Sequence, residues 1–400
     1  MSFRKLSEIS VKGRRVFLRV DFNVPLSADG KVSDDTRIVA SLPTIRYLME
    51  KGARLVVASH LGRPKGKRDP KQSLEPVRAL LEKYLRQPVG FAPGIVGPEA
   101  ETLSRSLQDG RVVLLENLRF DPREEANDPE FSRALAALGD VYVNDAFGAA
   151  HRAHASTAGI AAVLTENAAG FLMERELQAL GRRPTRAARP FVAILGGAKI
   201  SGKIDVLQNL LPRVDRLVVG GGMAFTFFRA RGIETGRSLV EEDRIPLASE
   251  LLQSGDAGKI LLPADCRVAA DIKGSDPGRI VASEAIPADL AGVDIGPSTL
   301  AAIAETLAEA RTIFWNGPMG VFEVPAYAEG TVGVAREVAR ATRRGAFTVV
   351  GGGDSLAAVN QAGVESQISH CSTGGGASLE FLEGRVLPGV AALESGTPVP

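Results

Sequence analysis

The sequence predicts an α/β protein of two Rossmann-like parallel-sheet domains, each three layers deep (α/β/α), joined by a hinge. Three observations carry this. The chain has 400 residues, more than one ordinary domain of roughly 100–200 residues holds. Short β-branched runs alternate with amphipathic stretches along its length, the pattern of repeated strand–helix units. Many of those runs are continuously apolar, as strands covered on both faces must be.

In order, the expected strands of the first half are residues 16–20, 55–58, 112–115 and 141–143. Those of the second half are 191–195, 217–219, 260–262, 312–315, 347–350 and 368–371. Apolar residues at helical spacing fall between them, at 37–50, 74–85, 131–138, 174–180 and 299–310. Residues 181–190 are polar and proline-bounded, which places a domain boundary near residue 185. Residues 395–400 carry Gly and two prolines and are expected to fray. No repeat of 20–50 residues occurs, which excludes a solenoid.

Composition narrows the function. The 48 basic and 47 acidic side chains leave a net charge of +1, so no global field draws nucleic acid or anionic lipid. Two cysteines exclude a disulfide framework and a cysteine zinc site. No apolar run approaches the ~18 residues of a membrane span, and residues 1–12 lack the apolar core of a signal peptide, so a cytoplasmic protein is expected. The 43 glycines exceed the usual ~7% without any collagen period, so they belong at particular turns.

In open α/β sheets ligands bind beyond the carboxyl ends of the strands. In the first half those ends are Arg19-Val-Asp-Phe-Asn-Val-Pro25, Ser59-His-Leu-Gly-Arg-Pro64, Glu116-Asn-Leu-Arg-Phe120 and Asn144-Asp-Ala-Phe147, the last leading to His151-Arg-Ala-His154. Arg19, Arg37, Arg63, Arg119 and Arg152 together suit an anion rich in carboxylate or phosphate oxygens. One such arginine alone reads as a surface ion pair, and His151 and His154 read equally well as structural. In the second half the ends are Gly196-Gly-Ala-Lys199, Gly220-Gly-Gly222, Asn316-Gly-Pro318, Gly351-Gly-Gly-Asp354 and Thr373-Gly-Gly-Gly376. Such loops present backbone N–H groups to a polyphosphate. Gly220–Gly222 serve close packing as readily as a ligand. Asp354 or Ser355 is the expected N-cap of a helix ending near Gly363, and a carboxylate beside phosphate implies an intervening Mg²⁺. Cys266 and Cys371 are expected to be buried and inert; Trp315 and the phenylalanines at 225–228 read as core, with one aromatic lining a pocket.

Only 12 of the 48 basic residues are lysine, and none lies between Lys83 and Lys199, yet Lys199 and Lys203 stand four residues apart. A compact, mobile ammonium suits a moving phosphoryl group, and i,i+4 spacing at a helix start would turn both to one ligand. Residues 197–204 nearly match the P-loop pattern, but Ile204 stands where Ser or Thr must bind Mg²⁺. The dinucleotide fingerprint fails as well, with Phe225 and Leu356 where its third glycine belongs.

Taken in order, these strand-end segments, with Trp315-Asn-Gly-Pro318 and Ser372-Thr-Gly-Gly-Gly-Ala-Ser378, closely resemble the phosphoglycerate kinase family along essentially the whole chain. The resemblance implies reversible, in-line transfer of the acyl phosphate of 1,3-bisphosphoglycerate to Mg-ADP on domain closure, giving 3-phosphoglycerate and ATP, in glycolysis. It implies a glycerate-binding domain at 1–184, a nucleotide-binding domain at 185–385, and a segment 386–400 that returns to the first; residues 387–393 are apolar enough to dock. Carried over by position, the glycerate site comprises Asp21, Phe22, Asn23, Arg37, His60, Leu61, Gly62, Arg63, Arg119 and Arg152, with Arg19 in support. The nucleotide site comprises Lys203, Gly292, Asn316, Glu323, Gly352, Gly353, Asp354 and Ser355, with Glu323 at the ribose and Asp354 on Mg²⁺. Arg37, Lys199, Gly352 and Gly375 are the implied catalytic positions. Gly202 departs from the acidic or larger residue expected before Lys203. The implied protein is a monomer acting on small molecules.

Nothing resembles a kinase His-Arg-Asp loop, and none is needed when the acceptor is a carboxylate ionised above about pH 4. Two other functions fit two α/β domains. A nicotinamide-dependent dehydrogenase is disfavoured by the failed fingerprint. A non-catalytic two-lobed binding protein is disfavoured by the lysine pair and the missing export signal.

Overall fold

The computed structural model describes residues 3–27, 29–181 and 188–395. The chain divides into two compact units, Met1–Gln178 with Arg385–Pro400, and Ala179–Gly384. The boundary expected near residue 185 lies outside the described residues.

The first unit holds six parallel strands: β1 (Arg15–Arg19), β2 (Arg54–Ala58), β3 (Val89–Ala92), β4 (Val112–Leu115), β5 (Val141–Asn144) and β6 (Asn167–Ala169). Their order is β3-β4-β2-β1-β5-β6, so the four strands with basic or histidine-bearing ends lie side by side. Val16, Phe17 and Leu18 are all fully buried, which is why a half-polar alternation is absent from this strand. Ile38, Ile45 and Leu48 of the helix Thr36–Glu50 join Val16, Leu18, Leu55, Val57 and Val143 in one core.

The second unit repeats the plan with β7 (Phe191–Leu195), β8 (Arg216–Val219), β9 (Ile260–Leu261), and later β13 (Thr312–Asn316), β14 (Phe347–Gly351) and β15 (His370–Ser372). The order is β15-β14-β13-β7-β8-β9, again parallel. Between β9 and β13 the chain makes a small antiparallel sheet, β11-β10-β12, from β10 (Asp265–Ala269), β11 (Arg279–Ala282) and β12 (Ala291–Ile295). This sheet, β3 and β6 are additions to the strands expected from sequence. β6 reads Asn-Ala-Ala, with no β-branched residue; backbone pairing to Tyr142–Asn144 makes it a strand.

Near the C-terminus the helix Pro388–Ser395 buries Val390 and Leu393, with Leu387 buried just before it. Gly389 donates its N–H to the Ala150 carbonyl at 2.8 Å. A Cβ at Gly389 would lie 3.0 Å from the Ala150 Cα, so glycine permits this approach.

Candidate active site

The sheet order of the first unit brings the loops after β4, β2, β1 and β5 together, and side chains tie them. Arg37 donates to Asp21 Oδ2 at 2.6 Å. The Asn23 carboxamide oxygen accepts from Gly62 N at 2.8 Å, and the Ser59 hydroxyl oxygen accepts from Phe22 N at 2.8 Å. Asn117 grips Leu61 through both backbone groups, at 3.1 and 2.7 Å. Arg119 donates to the Gly62 carbonyl at 2.8 Å and lies 3.2 Å from Glu125 Oε1. Gly62 takes φ +64°, a conformation open to glycine, and holds the turn that this arginine reads.

Burial gives these groups their charge states. Desolvation first, then Arg19, Arg119 and Arg37, holds His60 well below the usual imidazole range, so it is neutral. His154 is lowered to about 3 by burial, with Arg119, Arg19 and Arg152 adding repulsion. Arg119 is lowered by its own burial, with Arg19 and Arg152 adding repulsion. Several cations held close together with few carboxylates make a site that is satisfied by an anion. Arg152 belongs to this electrostatic group and donates to His151 Nε2 at 3.1 Å. Arg63 differs: it is exposed and enters none of these bonds.

In the second unit the glycine ends of β7, β8, β13 and β14 pack on one another. A Cβ at Gly196 would lie 2.1 Å from the Pro318 carbonyl oxygen, and one at Gly221 would lie 2.6 Å from Gly197 N. Gly220–Gly222 are therefore close-packed, and Gly221 and Gly222 also line a cavity. Lys203 buries its ammonium against the carbonyls of Gly196 and Asn316, at 2.5 and 2.9 Å. Burial lowers it to about 8, against the pull of Asp354.

The lysine pair departs from expectation. The helix Ile204–Leu210 begins only after Lys203, so Lys199 lies on the preceding turn and not one helical turn away on the same face. Lys199 is exposed, whereas Lys203 is held at the loops. The helix Gly353–Gln361 is likewise capped by Gly352, at φ +93°, and not by Asp354 or Ser355. The reason is local: Ser355 is fully buried, and its Oγ accepts from Gly317 N at 2.6 Å. Asp354 stands exposed in the first turn, and Asn316 donates to the Gly351 carbonyl at 2.8 Å. Gly353 and Gly375 have open space where a Cβ would project.

The cavity encloses about 500 Å³ and includes Gly292, Glu323 and Asp354 of the expected site. Its apolar wall includes Phe225, Phe228, Leu239 and Met319, so the phenylalanine cluster, expected as core with one aromatic at a pocket, sets two rings against the cavity. Trp315 is core, fully buried, with Nε1 donating to the Gly317 carbonyl at 2.8 Å. Cys266 lines the cavity, buried, its thiol pushed up to about 12; Cys371 is only half-buried, contrary to expectation, because it lies on the short edge strand β15. Among the described residues no cluster of three or more His, Cys, Asp or Glu could hold a metal ion. A single exposed carboxylate, Asp354, beside a glycine-capped helix start fits a divalent cation carried mainly by nucleotide phosphates and water.

One sheet that gathers cations and one that gathers backbone amides, each at its strand ends, define a phosphotransferase acting on small anionic molecules. Residues 6–385 match the family model described as phosphoglycerate kinase. The chain is 55% identical to the phosphoglycerate kinase of Chlorobium chlorochromatii and 53% identical to that of Chlorobaculum tepidum, covering 99% and 98% of this chain and 100% of each relative. Its fold superposes on the phosphoglycerate kinase structure from Coxiella burnetii with TM-score 0.86 at 40% identity, covering 98% of this chain and 99% of that one. The Pyrococcus horikoshii structure gives TM-score 0.87 at 36% identity, covering 98% of both chains. The chain belongs to the phosphoglycerate kinase family and is an enzyme of the kinase class. No described helix is long and apolar enough to cross a membrane.

Proposed function

We propose that this chain transfers the acyl phosphate of 1,3-bisphosphoglycerate to ADP, reversibly, giving 3-phosphoglycerate and ATP in glycolysis. The observation that supports it best is the division of chemistry between the two sheets: clustered guanidinium and imidazole groups in one unit, nested glycine loops and an apolar cavity in the other. The glycerate compound binds Asp21, Asn23, Arg37, His60, Arg119 and Arg152, and Arg63 joins from its exposed position. The nucleotide base enters the cavity beside Gly292 and Phe225, its ribose meets Glu323, and its phosphates meet Lys203 and the Gly352–Ser355 turn.

In the reaction the bond from phosphorus to the acyl oxygen breaks as a bond to the terminal ADP oxygen forms. The leaving carboxylate needs no proton, so no general acid or base is assigned. Arg37 and Lys199 balance the charge spread over the equatorial oxygens, and the amides at Gly352 and Gly375 orient it. Arg37 reaches that role by leaving or sharing Asp21. Asp354 would hold magnesium, the divalent ion we assign, which would neutralise charge on the phosphates. We assign the protein to the cytoplasm as a monomer, and each unit to one substrate.

The test is a coupled assay of ATP-dependent phosphorylation of 3-phosphoglycerate, with a thermal-shift panel beside it. Mg-ADP and 3-phosphoglycerate should each raise Tm while NAD does not. No turnover with both substrates and magnesium present, or stabilisation by NAD alone, rejects the proposal.

A further inference from the structure

Behind the cation cluster lies a chain of buried polar groups that substrate does not need to touch. Glu124 is fully buried, on the short helix Pro122–Glu125. Its carboxylate accepts from Ser156 N at 3.0 Å and from Ser156 Oγ at 2.5 Å. Ser156 is fully buried too, on the single π turn Ala155–Gly159, whose geometry turns its backbone N–H and its hydroxyl to the same carboxylate. With its proton given to Glu124, Ser156 Oγ accepts from Arg19 Nε at 2.9 Å. Arg19, 1% exposed, donates another N–H to its neighbour's carbonyl at Val20 and a third, from the far nitrogen, to His60 Nδ1 at 3.1 Å.

The direction at His60 is forced. A guanidinium has donors only, so His60 Nδ1 must accept. A neutral imidazole that accepts at Nδ1 carries its proton on Nε2. Resting on the proposed reading that His60 meets the glycerate compound, we infer that Glu124, Ser156 and Arg19 form a positioning relay that fixes His60 as the Nε2–H tautomer, a neutral hydrogen-bond donor to the substrate. Burial raises the Glu124 carboxyl, against the pull of Arg19 and the two Ser156 hydrogen bonds; ionised, it accepts only, which commits the Ser156 proton and leaves an oxygen lone pair for Arg19. Ionised Glu124 gives buried Arg19 a counter-charge through Ser156, and Asp21 Oδ1, 3.9 Å from His60 Nδ1, lies beyond hydrogen-bond distance, so Arg19 is the partner of that nitrogen. Tyr142 holds the same turn, donating its hydroxyl to the Ser156 carbonyl at 2.9 Å, and neutral His154 lies 3.9 Å from Glu124 Oε1. The suppressed basicity of His60 agrees with a neutral ring in this setting.

The relay is tested on the native protein first, by two-bond ¹⁵N–¹H spectra of histidine-labelled enzyme near pH 7.5, with the His60 ring assigned from His60→Gln. The expected pattern is a protonated Nε2 and a bare, accepting Nδ1. An Nδ1–H tautomer or an imidazolium overturns the relay without any variant having to fold. Ser156→Ala removes both the Glu124 donor and the Arg19 acceptor, and Arg19→Lys keeps the charge but cannot span Ser156 and His60 together. In either, the His60 signals should shift to a tautomer mixture. KM for 3-phosphoglycerate should rise about ten-fold, the scale of one charge-assisted hydrogen bond, with KM for nucleotide unchanged. A folded variant that keeps the pure Nε2–H pattern and native KM overturns the proposal. Calorimetry of native protein with 3-phosphoglycerate separates the two readings: absence of binding defeats the proposed function, whereas binding with the wrong tautomer defeats the relay alone.

Discussion

Lys199 and Lys203 stand four residues apart and meet different surroundings, so their removal should be felt differently. Lys203 is half-buried, its ammonium on two carbonyls, and anchors the glycine loops. Lys203→Ala should raise the nucleotide KM, change kcat modestly, and also lower Tm, because the buried carbonyls of Gly196 and Asn316 each lose an ammonium donor, Asn316 keeping only Gly196 N. Lys199 is exposed and bonds no loop, so Lys199→Ala should leave Tm unchanged and lower kcat by roughly 10²–10³, the scale of one lost transition-state donor. Steady-state kinetics with each substrate varied, read beside melting curves, checks both; a near-normal kcat in Lys199→Ala reverses the assignment. The lowered Lys203 value adds a pH signature. With the ammonium titrating at about 8 in the free protein, kcat/KM for nucleotide should fall as pH rises above about 8. Phosphate bound beside it favours the charged form, so kcat should hold to higher pH. A kcat/KM profile flat from pH 7 to 9.5 would count against this.

At the scale of elements, the clearest case is Asp145, at the end of β5. Fully buried, it accepts from Leu172 N and Met173 N at 2.8 and 3.1 Å and so caps the helix Phe171–Leu180. Burial raises it to about 7, against the Thr44 side chain, these hydrogen bonds and Arg175. A carboxyl whose folded value stands above its unfolded one contributes stability at low pH that is lost as pH rises from about 4 to about 7. Asp145→Asn keeps the acceptor oxygen and removes the titration. Its urea midpoint, compared with that of the parent, should therefore improve between pH 5 and pH 7.5, by up to about 3 kcal/mol in stability. Parallel profiles for the two proteins would refute it. Asp145 was legible only as part of a strand-end motif, and the same limit runs through the fold. Glycine and arginine ends could be read because they follow strongly apolar strands and name their own chemistry. Glu124 sits in Pro122-Arg-Glu-Glu125 and reads as a solvated helix face; what buries it is a π turn 32 residues further on, which no local pattern announces. β3 and β6 escaped for the same reason, since Gly90 and the Asn-Ala-Ala run acquire strand structure only from their neighbours. The wall of the cavity was half legible: an aromatic of this cluster was expected at a pocket, but Phe225 and Phe228 are apolar residues of a buried helix, and nothing in sequence says which ring fills core and which lines a void.

At the scale of the whole molecule, the groups assigned to one phosphoryl group come from two compact units: Arg37 from the first, Lys199 and the glycine turns from the second. Phosphoryl transfer is a contact reaction. The acyl oxygen, phosphorus and ADP oxygen must align within a few ångströms, and water must be kept from the acyl phosphate. Neither substrate alone supplies a reason for the units to converge, because each is assigned to a single unit. On that assignment both together would bridge them, and binding energy from each could then be applied to closure. The radius of gyration in solution scattering should therefore be smaller with 3-phosphoglycerate and a non-hydrolysable Mg-ATP analogue present together than with either one. Calorimetry under the same conditions must show both sites filled. Crossing the two measurements makes the outcome decisive: a ternary complex with an unchanged radius would mean that transfer takes place without convergence, and the assignment of the substrates to separate units would have to be given up.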